Sequence, residues 1–403
     1  FWLKLLGSGI GTSRSSSTAA WHVAATVWML PRAALRIQAL ARRPLQPVTI
    51  QQLLSRSAAI SQEDHVRHAL WIQEEMPVRL AHRLGDFLKL PYVVLSNAHF
   101  QQVFQTFLHA FDTLEESSPV ADAQSVAEFA AKLRSLVRGH DGIVHQLQEG
   151  YGEVQALMGD LVDLDAFLNQ TLFTRIGNRV LAEHFLEVHQ ARASGPSGGG
   201  GGCATGVVHP RCCPAEIVGS LSRSLSSLCE ELYGVSPRVA LEGQVDTEIS
   251  FVPDHLSFML QEILKNAFRA TVESHPYEVA SLPPISVEIM KGSFDVTLKV
   301  SDRGGGMRQE QLSQVWRYGY TSTQEAAVLA QGGAAEDLSA MCGQDQQSMR
   351  QMAGYGFGLP LSRVYAQYFG GDIHVQSMHG YGTDVYLSIN HLGDMHHTLL
   401  VAS

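Results

Sequence analysis

The fold is decided by the stretch GYGFGLPLSRVYAQYFGGDIHVQSMHGYGTDVYL, residues 354–387. Glycines occupy alternate positions at its start, and a predicted helix over 359–369 follows directly. Glycine amides at a helix N-terminus can bind phosphate through their free N–H groups and the helix macrodipole. The segments 372–377 and 383–389 then alternate apolar and polar residues, which predicts a closing β-hairpin. The stretch therefore predicts a phosphate-binding loop in a domain that contains both helices and strands.

The glycine spacing excludes two common phosphate loops. A dinucleotide-binding loop or a protein-kinase glycine loop would read G-x-G-x-x-G, whereas this one reads G-x-G-x-G. Its glycines are Gly354, Gly356 and Gly358. Pro360 suits the first turn of the predicted helix, because the N–H that proline lacks is not needed there.

A second candidate motif is EILKNAFRA, residues 262–270, on a predicted helix over 254–274. Glu262, Asn266 and Arg269 lie at i, i+4 and i+7 and therefore share one face of the helix. The residues predicted to cover the opposite side are Leu260, Ile263, Leu264 and Ala267. By itself, such a polar stripe is more often a solvated face. An Asn carbonyl oxygen is nevertheless a hard ligand suited to Mg²⁺, and a Glu nearby can accept a proton.

A third candidate motif is VSDRGGGM, residues 300–307, at the end of a predicted strand. Asp302 stands at the strand tip, where its carboxylate could accept a hydrogen bond from an exocyclic amine such as adenine N6. The glycines that follow let the backbone pass close to a ligand. A plain glycine turn after a strand is the more common alternative for this motif alone.

The remaining elements of this half predict an α+β sandwich with helices on one face of a mixed sheet. Two alternating segments, ISVEIMK and FDVTLKVS, read as half-buried strands. A helix is predicted over 214–232, and short strands are predicted near 237–242 and 248–252.

The N-terminal half predicts a helical bundle over residues 63–190. In FLNQTLFTRIGNRVLAEHFLEVH, residues 167–189, apolar residues recur at helical spacing. Breaks between helices are expected near Pro77, Pro91 and Pro119. The segment SGPSGGGGGCATG, residues 194–206, is typical of a flexible linker.

Charge and composition limit where in the cell the protein is expected to act and which classes of partner it can bind. The chain has 403 residues and a net charge of −10, yet residues 1–62 contain no Asp or Glu. An Arg-rich, Ser-rich start without acids predicts a transit peptide followed by a disordered leader, and a basic disordered tail is the alternative. The acidic body argues against non-specific nucleic-acid binding, and the apolar run over 21–30 is too short to span a bilayer. Five cysteines without a C-x-x-C pair indicate a reducing compartment.

These features divide the chain into five predicted segments. They are the leader over 1–62, a helical domain over 63–193, the linker over 194–206, a nucleotide-binding domain over 207–395 and a tail over 396–403.

The order of the motifs resembles that of the GHKL ATPase superfamily, whose nucleotide-binding domain is called the Bergerat fold. In that order an Asn-bearing helix precedes D-x-G-x-G after a strand, G-x-G-x-G before a helix, and GYGT at 380–383. The resemblance narrows to the mitochondrial protein kinases of 2-oxoacid dehydrogenase complexes through KNAFRATVESH, SDRGGGM and the stretch quoted first. QEEMPVRLAHRLGDFLKLPYVV and residues 167–189 are similar to the helical regulatory domain of that family, and LCEELYGVSPRV is similar to the start of its nucleotide domain. The resemblance covers roughly residues 63–393, apart from the linker and residues 323–351.

The resemblance implies a role for each matching residue. Glu262 is implied to be the general base for the acceptor serine, and Asn266 to ligate Mg²⁺ between the phosphates of ATP. Asp302 is implied to read adenine. The other implied nucleotide contacts are Lys265, Arg269, Gly304, Gly306, Thr321, Ser322, Gly354, Tyr355, Gly356, Phe357, Gly358, Leu359 and Thr383.

The resemblance also implies a K⁺ site and a mobile ATP lid. The matching K⁺ ligands, through main-chain carbonyls, are Val315, Arg317, Tyr320 and Gly356. At the position of Arg317 we expect an acidic residue in the kinase of the branched-chain 2-oxoacid dehydrogenase complex. A nearby positive charge is unfavourable for binding K⁺. Residues 323–353 are the implied lid, whose closure over ATP would gate the reaction.

Two substrates are implied, and two features favour the dehydrogenase of the branched-chain 2-oxoacid complex over pyruvate dehydrogenase. Pyruvate dehydrogenase kinases usually carry a His one turn before the catalytic Glu, where this chain has Phe258. They also tend to have an Asp-Trp pair in a C-terminal tail, and this sequence has no Trp after Trp316. The expected function is serine phosphorylation that inactivates the branched-chain dehydrogenase in the mitochondrial matrix, with pyruvate dehydrogenase as the alternative substrate.

The resemblance further implies docking of the helical domain on a lipoyl-bearing acyltransferase core and a homodimer formed through the hairpin at 372–390. Two other functions stay open. One is a two-component histidine kinase, with His184 or His189 as the phosphoacceptor. The other is a non-catalytic scaffold that binds the complex core and occupies its own nucleotide cleft without transferring phosphate.

Overall fold

The computed structural model describes residues 33–57, 61–194, 206–276, 282–321 and 356–390. The described part has a helical region up to residue 194 and a region of helices and strands from residue 206. Residues 1–32, most of the predicted linker, the predicted lid and the predicted tail lie outside the described residues.

The helical region packs five long helices around an apolar interior, as the N-terminal pattern predicts. They are α3 (Gln62–Phe87), α5 (Ala98–Glu115), α6 (Ala123–Gly139), α7 (Ile143–Met158) and α8 (Asp165–Ser194). Shorter helical segments are α1 (33–40), α2 (Ile50–Ser57), α4 (Tyr92–Leu95) and a 3₁₀ turn at Gly159–Leu161. Helix α3 packs against both α5 and α8. Side-chain caps fix several starts, including Ser61 for α3 and Asn97 for α5, because their oxygens accept otherwise unpaired backbone N–H groups.

The break predicted near Pro77 is wrong, whereas those near Pro91 and Pro119 occur. Helix α3 runs through Pro77, which is buried inside it. A proline inside a helix costs about 3 kcal/mol. We infer that burial of the apolar faces of α3 against α5 and α8 offsets this cost. Pro91 is the N-cap of α4, and Pro119 lies between α5 and α6.

The folded region begins earlier than the predicted boundary at residue 63. Ile37 and Leu53, inside the predicted leader, are buried in the helical core. The carboxylate of Glu75 accepts hydrogen bonds from the Gln46 N–H and from Arg79 Nε, both at 3.0 Å. The absence of acidic residues is common to all of residues 1–62 and does not distinguish a folded part from the rest. The folded part begins where apolar side chains can be buried.

The second region is built on a five-stranded mixed sheet of order β2-β4-β5-β7-β6. Its strands are β2 (Val239–Gly243), β4 (Ile285–Lys291), β5 (Asp295–Ser301), β6 (Asp372–Met378) and β7 (Gly382–Asn390). Strand β2 pairs parallel with β4, and the other pairings are antiparallel. A separate pair joins β1 (His209–Cys212) to β3 (Ile249–Phe251). The predicted α+β fold class is confirmed, and the strand predictions agree within two residues.

Helices cover one face of this sheet. The longer ones are α9 (Pro214–Tyr233), α10 (Pro253–Ser274) and α12 (Gly358–Tyr368), and a short α11 spans Gln309–Leu312. Helix α10 contacts β5, and α12 contacts β6 and β7. The covered face alternates along the strands, with Val296, Leu298 and Val300 buried in β5.

The two regions meet where α8 packs against α12. The Phe173 and Tyr368 rings lie edge to face with centroids 5.1 Å apart. This contact joins α8 to the last residue of α12, at the end of the helix opposite to the predicted phosphate loop. Within the ranges that the structure describes, no helix is both long and apolar enough to cross a membrane.

Candidate nucleotide-binding and phosphoryl-transfer site

One cavity of about 260 Å³ brings the sequence motifs together. It lies between α10, the loop after β5, the start of α12, and strands β6 and β7. The predicted residues that line it are Glu262, Asn266, Arg269, Asp302, Gly304, Gly306, Val315, Tyr320, Thr321, Gly356, Gly358, Leu359 and Thr383. Residues up to 121 positions apart in sequence, from Glu262 to Thr383, therefore line one cavity.

Three predicted site residues do not line the cavity. Lys265 is buried in an ion pair, and Phe357 is buried in an aromatic cluster. Arg317 lies beside the helical region, where its charge opposes the rise in the pKa of Asp165 that burial and Asp163 cause. Ser322, Gly354 and Tyr355 lie outside the described residues.

Asp302 is held at the base of the cavity by backbone donors. Its Oδ1 accepts hydrogen bonds from the N–H of Gly304 at 2.8 Å and the N–H of Thr383 at 3.3 Å. Both bonds use Oδ1, so neither of them occupies the second oxygen, Oδ2. Burial raises the pKa of the Asp302 carboxyl to about 6, although the two N–H donors oppose the shift. The arrangement suits a carboxylate that accepts a hydrogen bond from a ligand amine.

The glycines after Asp302 are required by close backbone contacts. A Cβ at Gly304 would overlap the backbone of Ala270 on α10, and Ser274 Oγ donates to the Gly304 carbonyl at 2.7 Å. Gly306 has a φ of 62°, and a Cβ there would overlap the carbonyl of Met378 in β6. The loop can therefore lie flat between α10 and the β6–β7 turn only if both positions lack side chains.

Glu262 is buried at the end of the cavity beside the start of α12 and is only 4% exposed. Its Oε1 lies 2.7 Å from Lys265 Nζ, within the same helix. Its Oε2 faces Gly358, the first residue of α12, where any side chain would overlap it. The carboxylate is thus fixed on two sides while it still lines the cavity.

The cavity-facing stripe of α10 is wider than the periodicity indicates. Ile263 and Ala267, predicted on the opposite side, line the cavity beside the polar residues. Glu273 also lines the cavity. It lies four residues after Arg269, so the same helical spacing predicts that it shares this face. The other lining residues missed from sequence are Ala270, Ser274, Met307, Gln311, Pro360, Val375 and Val385. Val375 and Val385 carry no local signal, because they face the site only through the pairing of β6 with β7.

Phe357 and Gly356 link the phosphate loop to the helical region. The Phe357 ring lies 4.7 Å from the ring of Tyr318 and 5.8 Å from that of Tyr151 on α7, between centroids. All three rings are nearly inaccessible to solvent. Gly356 has a φ of 73°, and its carbonyl accepts a hydrogen bond from the Gly319 N–H at 3.1 Å. Packing against the helical region therefore fixes the point at which the loop enters α12.

The residues present fit a magnesium nucleotide better than a protein-held metal. Among the described residues, no three His, Cys, Asp or Glu side chains converge as a metal site. Asn266 lines the cavity between Glu262 and Arg269 and offers a hard amide oxygen. Mg²⁺ commonly binds through one or two protein oxygens together with substrate phosphates. One amide oxygen is therefore a sufficient protein contribution.

The histidine-kinase reading finds no support in the position of the two histidines. His184 has no exposed surface, and its pKa is lowered to about 4 by burial. His189 stacks on His65, with His65 Nε2 and His189 Nδ1 3.1 Å apart. His184 is therefore closed to an incoming phosphate.

Nucleotide affinity is predicted to weaken as the pH falls below about 6. Asp302 must be ionised for both of its oxygens to act as acceptors, and burial raises its pKa to about 6. Protonation then competes with binding, so Kd should rise by up to about tenfold per pH unit below that value. Calorimetric titration with ATP between pH 5 and 8 measures this slope. The Asp302→Asn variant keeps only the titration of the nucleotide phosphates, so equal slopes in the two proteins would contradict the prediction.

Comparison with known proteins agrees with the fold and the cavity. Residues 47–210 match the family model described as mitochondrial branched-chain alpha-ketoacid dehydrogenase kinase. Residues 251–392 match the model described as histidine kinase-, DNA gyrase B- and HSP90-like ATPase. The fold and the cavity thus define a nucleotide-binding domain of the GHKL type.

Curated relatives extend the match over both regions. The mitochondrial pyruvate dehydrogenase (acetyl-transferring) kinase of Arabidopsis thaliana is 29% identical over 349 residues, covering 86% of this chain and 91% of the relative. The Homo sapiens isozyme 4 of the same kinase is 32% identical over 336 residues, covering 80% of this chain and 76% of the relative. The Drosophila melanogaster kinase of the same name is 30% identical over 349 residues, covering 82% of this chain and 79% of the relative.

The chain belongs to the family of mitochondrial 2-oxoacid dehydrogenase kinases. The resemblance read from the motifs is confirmed, and the chain is an ATP-dependent protein kinase of the GHKL type.

Proposed function

We propose that this chain phosphorylates a serine of mitochondrial pyruvate dehydrogenase and thereby inactivates it. The observation that carries the proposal is the buried carboxylate of Glu262 at the phosphate end of a cavity that also contains Asn266 and Asp302. The substrate follows from the relatives compared above, which are named pyruvate dehydrogenase kinases and match both regions of the chain. Their names also support a mitochondrial location, and we propose the matrix.

In the proposed reaction, Glu262 accepts the proton of the acceptor serine hydroxyl. The serine oxygen forms a bond to the γ-phosphorus as the bond between that phosphorus and the β–γ bridging oxygen breaks, leaving ADP. Phosphoryl transfer depends mainly on positioning and charge neutralisation. Bound Mg²⁺ would supply part of the neutralisation, with Asn266 as its protein ligand, and Arg269 adds positive charge at the same wall.

The remaining roles that we propose concern the adenine and the other phosphate contacts of the nucleotide. Asp302 accepts a hydrogen bond from adenine N6, and Gly304 and Gly306 lie beneath the base. Thr321 and Ser322 contact the nucleotide, and Thr383 lies near the adenine edge. The phosphate contacts are Gly354, Tyr355, Gly356, Gly358 and Leu359.

We also propose a K⁺ ion held by main-chain carbonyls of Val315, Arg317, Tyr320 and Gly356. Val315, Tyr320 and Gly356 line the same cavity, which supports a K⁺ site formed by their carbonyl groups. The guanidinium of Arg317 lies near Asp165 and Tyr151 of the helical region, where burial raises the pKa of both groups and the charge of Arg317 opposes the rise. The nearby carboxylate reduces the repulsion that this positive charge would exert on K⁺. Residues 323–353 form the lid in this proposal.

The helical region is proposed to dock on the lipoyl-bearing acyltransferase core, and the hairpin at 372–390 is proposed to form a homodimer. We propose a helical domain that begins before residue 63 and ends at residue 193, and a kinase domain over 207–395, both preceded by a transit peptide.

Branched-chain 2-oxoacid dehydrogenase is the alternative substrate. Two observations favour it. The helical region matches the family model described for the branched-chain kinase. Phe258, one turn before Glu262, carries no proton-accepting group, and its ring packs 4.9 Å from that of Tyr365. The expectation from sequence rests on the same position.

The substrate test is direct phosphorylation of purified complexes. The protein is incubated with ATP, Mg²⁺ and either the pyruvate or the branched-chain dehydrogenase complex, and the phosphate is mapped by mass spectrometry. We expect acid-stable phosphoserine, formed preferentially on pyruvate dehydrogenase. Preference for the branched-chain enzyme would establish the alternative substrate, and acid-labile autophosphorylation would indicate a histidine kinase. ATP binding without any transfer would indicate a scaffold.

A further inference from the structure

Lys265 has a different environment from the other polar residues of its motif. Glu262, Asn266 and Arg269 line the cavity, whereas Lys265 does not. Its side chain is 9% exposed and its Nζ lies 2.7 Å from Glu262 Oε1. A lysine that contacted the nucleotide phosphates directly would have to point into the cavity.

Apart from Lys265, two neighbours of Glu262 are Phe258 and Gly358, and neither has a side chain that can donate a hydrogen bond to its carboxylate. The residue one turn before it is Phe258, whose ring packs on Tyr365 and offers no hydrogen-bond donor. On the other side, Oε2 lies against the Cα of Gly358, where only glycine leaves room. In the described structure the carboxylate is thus held between an ammonium group and the first residue of α12.

We infer that Lys265 is a positioning residue, which fixes the carboxylate of Glu262 toward the acceptor serine and does not bind ATP. The inference rests on the proposed role of Glu262 as the general base. A buried carboxylate without a partner is unfavourable and would reorient or become neutral. The ion pair limits the side-chain freedom of Glu262 and so holds its carboxylate in the position that proton transfer in the proposed reaction requires. A displacement of about 1 Å in a catalytic group can lower a rate by about 100-fold.

The inference and direct nucleotide binding by Lys265 predict different kinetic changes. A positioning residue affects kcat and leaves the ATP affinity alone, whereas a phosphate ligand affects the Kd for ATP. The Lys265→Met variant should lower kcat by at least about tenfold at unchanged KM and Kd for ATP. Lys265→Arg keeps a cation that can reach Glu262 and should restore kcat close to the parent value.

Two further variants keep the test decisive. Lys299→Met removes another lysine–carboxylate pair, Lys299 Nζ to Asp384 Oδ2 at 2.9 Å, away from the cavity, and should leave kcat unchanged. If Lys265→Met does not fold, Lys265→Gln replaces it, because its amide can donate to Glu262 without a charge. Thermal unfolding and ADP binding establish which variants are folded.

The experiment measures steady-state phosphorylation of the dehydrogenase complex and ATP binding by calorimetry for each variant. Loss of kcat with unchanged ATP affinity, restored by Arg, supports the inference. A weaker ATP affinity in Lys265→Met and Lys265→Gln at unchanged kcat would show that Lys265 binds the nucleotide. An unchanged kcat in both variants, with Glu262→Gln inactive, would overturn only the positioning role. Full activity of Glu262→Gln would instead refute the proposed base.

Discussion

Glu262→Gln is expected to lower kcat for phosphoryl transfer by about 10²- to 10⁴-fold, the usual range for loss of a general base. The substitution preserves the shape of the side chain, and the amide oxygen can still accept a hydrogen bond from Lys265 Nζ, which now lies 2.7 Å from Oε1. What is lost is the ability to take the serine proton. The affinity for ATP should not fall, since the carboxylate provides no attraction for the phosphates and its removal lowers the repulsion of their negative charge.

Glu75→Gln is the matched control for Glu262→Gln. Glu75 is 3% exposed and paired with Arg79 at 3.0 Å, so it resembles Glu262 in burial and in having a basic partner. It lies in the helical region, and its replacement should lower the melting temperature without changing kcat per folded molecule. Single-turnover transfer and ATP calorimetry on both variants provide the measurement. A Glu262→Gln enzyme that retains kcat would remove the base assignment.

Asp302→Asn is expected to raise the Kd for ATP by about 10- to 100-fold, which corresponds to about 1.4–2.8 kcal/mol. The new amide oxygen can still accept the N–H groups of Gly304 and Thr383, which now bond to Oδ1 at 2.8 and 3.3 Å. The other atom changes from an acceptor to an N–H donor. It then faces the N6 amine of adenine, which is also a donor, so a hydrogen bond is replaced by an unfavourable contact.

The same substitution predicts a change of base preference. Inosine triphosphate carries a carbonyl in place of the N6 amine, and this carbonyl can accept from the new amide. The ratio of ATP affinity to ITP affinity should therefore fall, as measured by competition with a fluorescent nucleotide. Asp384→Asn is the control, because Asp384 is paired with Lys299 on the adjacent strand and does not line the cavity. An unchanged ratio in Asp302→Asn would show that Asp302 does not read the base.

The motif residues were predictable because their positions follow from local geometry. In a helix, residues four apart share a face, so Glu262 and Asn266 had to lie side by side. A polar residue at a strand end followed by glycines, as at Asp302, marks a loop that closely approaches other groups. Neither rule needs knowledge of distant parts of the chain. The same locality explains why the helix and strand types were predicted correctly.

The sequence by itself determined the α+β order, the motifs and their family. Only the tertiary structure decided which of the motif residues face the cavity. Lys265 is buried and does not line the cavity, and Phe357 joins Tyr151 and Tyr318, because neighbouring elements cover both side chains. Val375 reaches the site through strand pairing alone. Local periodicity fixes the direction of a side chain relative to its own element, whereas long-range packing fixes what that direction faces.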